Sequence, residues 1–102
     1  IPGIAINGLV GTATGTWQYT IDGGVSWSAI GTTGNSNARL LASNANTRVR
    51  YVPNAGFTGL VKLAFAIWDQ SNGVNGGIAN VASRGGSTPY SLQYDYASLV
   101  VG

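Results

Sequence analysis

Short runs in which apolar and polar residues alternate recur along the chain and predict β-strands. In GTWQYTID, residues 15–22, the side chains of Trp17, Tyr19 and Ile21 alternate with small or polar ones, and TRVRYVP, residues 47–53, has the same two-residue period. Because successive side chains of a strand point to opposite faces of a sheet, each run predicts a strand with one buried and one solvated face. No segment keeps the 3.6-residue period of an amphipathic helix.

The longest apolar run, GLVKLAFAIWD at residues 59–69, predicts a central strand. Its two-residue alternation divides the side chains into two sets. The set that we expect in the core is Val61, Leu63, Phe65 and Ile67. The opposite face carries Lys62, Ala64, Ala66 and Trp68, and we expect Lys62 to be exposed.

Further strands are predicted at residues 4–10, 26–30, 38–42 and 90–101, which brings the total to about seven. Sixteen glycines and many Asn, Ser and Thr residues separate the runs and supply turn signals. Such spacing is typical of an all-β sandwich of two antiparallel sheets. One connection, residues 70–89, is longer than most structureless loops in small domains, and we expect it to be functional or mobile.

Composition limits the chemistry that is available. The 102 residues suit one domain, 1–102, and they include no Cys, His or Met; the acidic residues are Asp22, Asp69 and Asp95. Thiol and imidazole catalysis and the usual zinc sites are therefore excluded. Charged residues make up 8% of the chain and its five cations form no run, so nucleic acid is not an expected partner. Because these reactive residue types are missing, we predict no enzyme activity. No apolar run is long enough for a membrane-spanning helix, so we predict no membrane insertion.

A turn motif surrounds the first aspartate. The pattern hydroxyl, any, Asp, any, Gly, any, hydroxyl, aromatic is met by Thr20, Asp22, Gly24, Ser26 and Trp27. It resembles the Asp-box of sialidases and other secreted β-proteins, in which the carboxylate accepts hydrogen bonds inside a hairpin turn. We expect a structural role for these residues, since the motif lies away from the active site in those families.

Two other places suggest ligands. Asp69 ends the central strand and Asp95 lies in LQYDYAS, so both carboxylates are candidates for Ca²⁺ at a domain junction; the alternative is that each makes only turn contacts. The second place is PYSLQYDY, which puts Tyr90, Tyr94 and Tyr96 close to the long connection. Exposed aromatic rings there could stack on a sugar, whereas most other aromatic residues are predicted to be core.

The whole chain resembles one Ig-like or cadherin-like repeat of the tandem arrays in giant RTX-type surface adhesins of bacteria. The phrases that carry the resemblance are GTWQYTIDGGVSWSAIG, ANTRVRYVPNAGFTG, LAFAIWDQSNGVNGG and YASLVV, in that order. The resemblance implies an Ig-like sandwich excised from a longer extracellular polypeptide at the cell surface. It also implies neighbouring repeats as partners and Ca²⁺ at the junctions. The chain departs from those arrays in having few acidic residues, so a neighbour would have to complete a calcium site.

Two functions follow as expectations. The first is a non-catalytic extender module that projects a distal binding domain of an adhesin away from the cell. The second is a carbohydrate- or protein-binding module that uses residues 70–89 and the nearby tyrosines, because loops on a rigid sandwich often carry recognition. A single domain that binds no glycan or protein would favour the first.

Overall fold

The computed structural model describes residues 2–86 and 88–101, and these residues form eight strands and no helix. The strands are β1 (Gly3–Val10), β2 (Gly15–Thr20), β3 (Ser28–Ala29), β4 (Ala38–Leu41), β5 (Arg48–Pro53), β6 (Gly59–Trp68), β7 (Ile78–Ala79) and β8 (Tyr90–Val101). The predicted strands are all present. The additional one, β7, lies inside the segment that was predicted to be a loop.

The strands form two antiparallel sheets that pack as a sandwich, which confirms the predicted fold class. One sheet has five strands in the order β7-β4-β1-β6-β8, and the other has three in the order β3-β2-β5. The strand β6 is internal, between β1 and β8, as expected for the longest apolar run. The strand β8 is an edge strand, and the sheet that faces it is narrower by two strands.

The main core fills the space between the two sheets. Trp17 on β2 and Tyr51 on β5 are cross-strand neighbours with ring centroids 5.2 Å apart in an edge-to-face arrangement. The Tyr51 hydroxyl donates a 2.8 Å hydrogen bond to the carbonyl oxygen of Gly11, so its polar end is satisfied inside the core. The buried members of this cluster are Ile6, Trp17, Ile30, Leu41, Tyr51, Val61 and Leu63.

A second, smaller core lies on the outer face of the five-stranded sheet. Residues 70–89, of which residue 87 is outside the described residues, we call the covering segment: Val81 belongs to this core, and Gly73 lies against the side chains of Leu40 and Trp68. The backbone of the segment exchanges hydrogen bonds with β4, since Gly76 N donates to Leu40 O at 2.7 Å and Leu40 N donates to Gly77 O at 2.9 Å. The buried members of the second core are Ala5, Ala38, Leu40, Trp68, Val81 and Tyr90.

The second core corrects the expected division of β6 into a core face and a solvated face. Val61 and Leu63 are buried as predicted and Phe65 is half-buried, but Ile67 is 43% exposed, while Trp68 on the opposite face is 2% exposed. The covering segment packs on Trp68, whereas the three-stranded sheet leaves Ile67 uncovered. Lys62, expected to be exposed, is half-buried within the outer face.

The two ends of the described chain lie at opposite ends of the five-stranded sheet. Gly3, where β1 begins, pairs with Trp68 at the end of β6, and Val101, where β8 ends, pairs with Gly59 at the start of β6. The rise of about 3.4 Å per residue places these two pairs about 30 Å apart along β6. The molecule is elongated, with principal extents of 45 × 27 × 20 Å.

Candidate functional site

Both oxygens of the Asp22 side chain accept hydrogen bonds within its own turn. Its Oδ1 accepts hydrogen bonds from the Thr20 hydroxyl at 2.6 Å and from the Ser26 N–H at 3.0 Å. Its Oδ2 accepts a 2.6 Å bond from the Ser26 hydroxyl. Thr20 Oγ1 in turn accepts from the Gly24 N–H at 3.1 Å. The side chains of Thr20, Asp22 and Ser26 thus form a local hydrogen-bond network that holds the turn.

These bonds favour the ionised form of the carboxylate. The Ser26 hydroxyl and N–H, together with the Thr20 hydroxyl, lower the pKa of Asp22 from its ordinary value of 3.8 to about 2. The chain can follow this turn because Gly24 has φ +96°, a conformation that L side chains rarely adopt. A Cβ at Gly24 would lie 3.7 Å from the Trp27 ring, and the Arg50 guanidinium lies 4.1 Å from the centroid of that ring.

The other two aspartates are not brought together. Asp69 follows the end of β6, where its Oδ1 accepts a 2.8 Å bond from the Ser71 N–H; hydrogen bonding by the Ser71 side chain, together with this N–H, lowers the pKa of Asp69. Asp95 lies in the middle of β8, paired with Phe65, and its Oδ1 accepts from the Tyr96 N–H at 2.8 Å. Since Asp69 is four residues beyond Phe65, the strand rise separates the backbone positions of the two aspartates by about 13 Å along the sheet.

No group of three or more acidic side chains gathers anywhere in residues 2–86 and 88–101. No helix in this part of the chain could cross a membrane.

The three candidate tyrosines occupy two different environments. Tyr90 is 5% exposed, because the covering segment and Trp68 enclose it in the second core, so it does not offer a ring to a ligand. Tyr94 and Tyr96 are 47% and 55% exposed on the outer face of β8. Their ring centroids are 6.1 Å apart with an interplanar angle of 71°, so the two rings form a corner.

The corner is one side of a concave site on the outer face of the sheet, which we call the tyrosine cleft. It has a volume of about 360 Å³. Its lining includes Asn7, Gly8, Asn35, Ala64, Tyr94 and Tyr96. The cleft is open because small residues form its floor: a Cβ added to Gly8 would lie 3.3 Å from the Cβ of Ala64.

Three polar residues that the sequence analysis missed border the cleft. Asn35 Oδ1 accepts hydrogen bonds from Arg84 Nη1 at 2.9 Å and from Asn7 Nδ2 at 3.1 Å. The Arg84 guanidinium carbon also lies 5.3 Å from the centroid of the Tyr94 ring. The signal in the sequence was the Asn-Gly pair inside the first apolar run, since a glycine within a strand pattern indicates a bulge, and β1 shifts register between Ile6 and Gly8.

Arg39 is a further residue that sequence reasoning did not single out. Its Nη2 donates to the Ile30 carbonyl oxygen at 2.9 Å, and its Nη1 donates to the Gly76 carbonyl oxygen at 2.8 Å. Its guanidinium carbon lies 4.9 Å from the centroid of the Tyr19 ring. One side chain therefore ties the covering segment to both sheets, which is a positioning role for which the rigid fork of arginine is suited.

Comparisons of the chain with protein-family models, with curated proteins and with solved structures find no match. Its own geometry is therefore what bears on its function.

Proposed function

We propose that the chain is a non-catalytic spacer module of an extracellular tandem array, as in a bacterial surface adhesin, and that it adds length between a cell surface and a distal binding domain. The observation that carries the proposal is the position of the chain ends. The chain enters β1 beside Trp68 and leaves β8 beside Gly59, at opposite ends of the longest strand pairs. A module with this geometry lengthens an array by most of its own long dimension, 45 Å.

The carboxylates also support a structural role. The Asp22 carboxylate accepts three hydrogen bonds from Thr20 and Ser26, and these bonds hold the turn between β2 and β3. A catalytic acid or base must instead reach a substrate atom at hydrogen-bond distance. Asp69 and Asp95 bond to backbone N–H groups one or two residues away, as turn and strand aspartates do.

We include calcium at a module junction in the same proposal, with Asp69 as a ligand and Asp95 not. Asp69 follows Trp68, whose partner Gly3 begins β1, so its carboxylate lies at the end where a preceding module would join. Asp95 is paired with Phe65 in mid-strand, away from both ends. Asp69 is therefore our candidate for a shared Ca²⁺ ligand, with the remaining oxygens supplied by the neighbour, because Ca²⁺ takes six to eight.

A tandem of two copies joined head to tail tests both parts of the proposal. Small-angle X-ray scattering should give a maximum dimension for the tandem that exceeds that of one copy by about 30 Å or more. We expect Ca²⁺ to raise the melting temperature of the tandem relative to chelator, and Asp69→Asn, but not the control Asp95→Asn, to remove that rise. Two copies packed side by side, with little gain in length, would contradict the spacer role.

A further inference from the structure

We propose that the tyrosine cleft binds the pyranose ring of a carbohydrate. The proposal goes beyond the spacer function and does not depend on it. It starts from the two exposed rings, because Tyr94 and Tyr96 present apolar faces on a strand that is otherwise open to solvent. The carbon-bound hydrogens on one face of a pyranose pack against such rings, and each tyrosine hydroxyl can both donate and accept a hydrogen bond.

The size and shape of the cleft suit a single sugar ring. A volume of about 360 Å³ is near the small end of ligand sites in proteins. Gly8 and Ala64 keep the floor low, while the 71° angle between Tyr94 and Tyr96 gives two aromatic walls instead of one flat surface. A ring that lies on the floor would contact one tyrosine by its face and the other by its edge.

The side of the cleft opposite the tyrosines offers the hydrogen-bonding groups that sugar hydroxyls need. Asn7 and Asn35 have amides, which both donate and accept. Arg84 Nη1 and Asn7 Nδ2 both donate hydrogen bonds to Asn35 Oδ1. Because Asn7 uses its amide nitrogen in this contact, its amide oxygen points away from Asn35. Asn7 Oδ1 is buried without a donor among the described residues.

The unpaired Asn7 oxygen indicates what kind of ligand group completes the site. A buried acceptor without a donor is unfavourable, and native proteins rarely leave one unsatisfied. A hydroxyl is the donor that fits, because it can donate to Asn7 Oδ1 and accept from an amide N–H with the same oxygen; the Asn7 amide must rotate toward the cleft to form this bond and gives up its hydrogen bond to Asn35 Oδ1. A ring that carries several hydroxyls therefore matches the cleft better than a purely apolar ligand does.

The strand order gives the cleft rigid walls. Gly8, Ala64 and Tyr96 come from the adjacent strands β1, β6 and β8, in which Gly8 pairs with Ala64 and Ala64 pairs with Tyr96. Arg84, from the covering segment, holds the lining residue Asn35 in place, since it donates to Asn35 Oδ1 and also to the Val81 carbonyl oxygen at 3.1 Å. The floor and the tyrosine-bearing strand are therefore held in place before the ligand arrives, which lowers the entropic cost of binding, and the Asn7 amide is the group that moves.

Titration followed by amide NMR tests the proposal. The probes are cellotriose and chitotriose as neutral sugars and a trigalacturonate as an acidic one; the last separates simple ring stacking from recognition of a sugar carboxylate by Arg84. We expect saturable shifts at Gly8, Ala64 and Tyr96 with at least one probe, at a dissociation constant of roughly 0.1–10 mM, as is usual for a small contact area.

Substitutions at the exposed rings make the result specific. Tyr96→Ala and Tyr94→Ala should each weaken binding by about tenfold or more, because each removes one aromatic wall. Val100→Ala is the matched control, since Val100 is exposed on the same face of β8 outside the cleft, and it should leave the dissociation constant unchanged. The amide spectrum of each variant reports whether it is folded. Absence of saturable shifts with all three probes, or shifts that persist in both tyrosine variants, would overturn the proposal.

Discussion

Thr20, Asp22 and Ser26 show how a few residues close a turn without help from the rest of the chain. Thr20 is buried, and its hydroxyl oxygen accepts N–H groups from the turn while its proton goes to the carboxylate. All three hydrogen bonds to the Asp22 oxygens come from residues two to four positions away. Because the partners are local, the residue types and their spacing were enough to predict the motif.

The lowered pKa of Asp22 gives this turn a pH signature. The folded pKa of about 2 lies below the ordinary value of 3.8, so the unfolded chain binds a proton at Asp22 more readily than the folded protein does. The stabilisation is therefore complete above about pH 4 and is lost as the pH falls through the folded pKa. The lowered pKa of Asp69 acts in the same direction.

We expect Asp22→Asn to lower the melting temperature by several degrees at pH 7 and by progressively less between pH 4 and pH 2. Thermal melts across that range measure the difference from the unsubstituted protein. Asp95→Asn is the control, since among the described residues the hydrogen bond to the Asp95 carboxylate comes from the next residue's N–H, and its replacement should have little effect. An equal loss from Asp22→Asn at pH 7 and pH 2 would show that the charge of the carboxylate is not what stabilises the turn.

At the scale of elements, β6 is covered on both faces, each by a different partner. Val61 and Leu63 pack against the three-stranded sheet, and Trp68 packs under the covering segment. The small side chains of Ala5, Ala38 and Ala66 on the outer face let the segment approach closely. The Trp68 indole N–H donates to the Asn72 carbonyl oxygen at 3.1 Å, which fixes the first turn of the segment over the ring.

We expect Trp68→Ala to reduce the free energy of unfolding by about 3–5 kcal/mol, because it empties the centre of the second core. Ile67→Ala is the matched control one residue away on the other face, and since Ile67 is already 43% exposed its loss should be about 1 kcal/mol. Urea unfolding measures both values. Amide hydrogen exchange in the covering segment should accelerate in the first variant only.

A greater stability loss from Ile67→Ala than from Trp68→Ala would contradict this account. It would support the sequence-based prediction that the face with Ile67 is the core face of β6. Equal losses would mean that the covering segment adds little to the stability of β6.

At the scale of the whole molecule, the strand order determines how the protein carries tension. The strands β1 and β8 are both antiparallel to β6 and flank it, so they run parallel to each other. Force applied through the chain ends pulls β1 and β8 in opposite directions along β6. The inter-strand hydrogen bonds lie across that direction and are loaded together instead of one after another.

We expect the unfolding force to depend strongly on the points of attachment. Pulling through the two chain ends in single-molecule force spectroscopy should give a force several-fold higher than pulling between Thr58 and the carboxyl end, which peels β8 from β6 one pair at a time. The chain has no cysteine, so a Thr58→Cys handle can be placed without competition. Similar unfolding forces in the two geometries would count against a spacer that resists tension applied through its chain ends.

The sequence by itself determined the strands other than β7, the two-sheet antiparallel class and the Asp22 turn. Each depends on contacts between residues near in the chain, or on a two-residue period that any sheet imposes. The positions of β1, β2, β4, β5, β6 and β8 follow from the apolar runs, and the hydrogen bonds of Asp22 follow from the spacing of its motif.

Only the tertiary structure decided which face of each strand is covered and which distant residues meet. The two-residue alternation separates the two faces of β6 but does not show what covers each of them. The covering segment buries Trp68 on one face, whereas Ile67 on the other face lies outside the cover of the three-stranded sheet. The separation of Asp69 from Asp95 and the meeting of Asn7 with Tyr96 around one cleft depend on register between strands far apart in sequence. Register and packing across such distances are set by the whole core at once, and no local pattern encodes them.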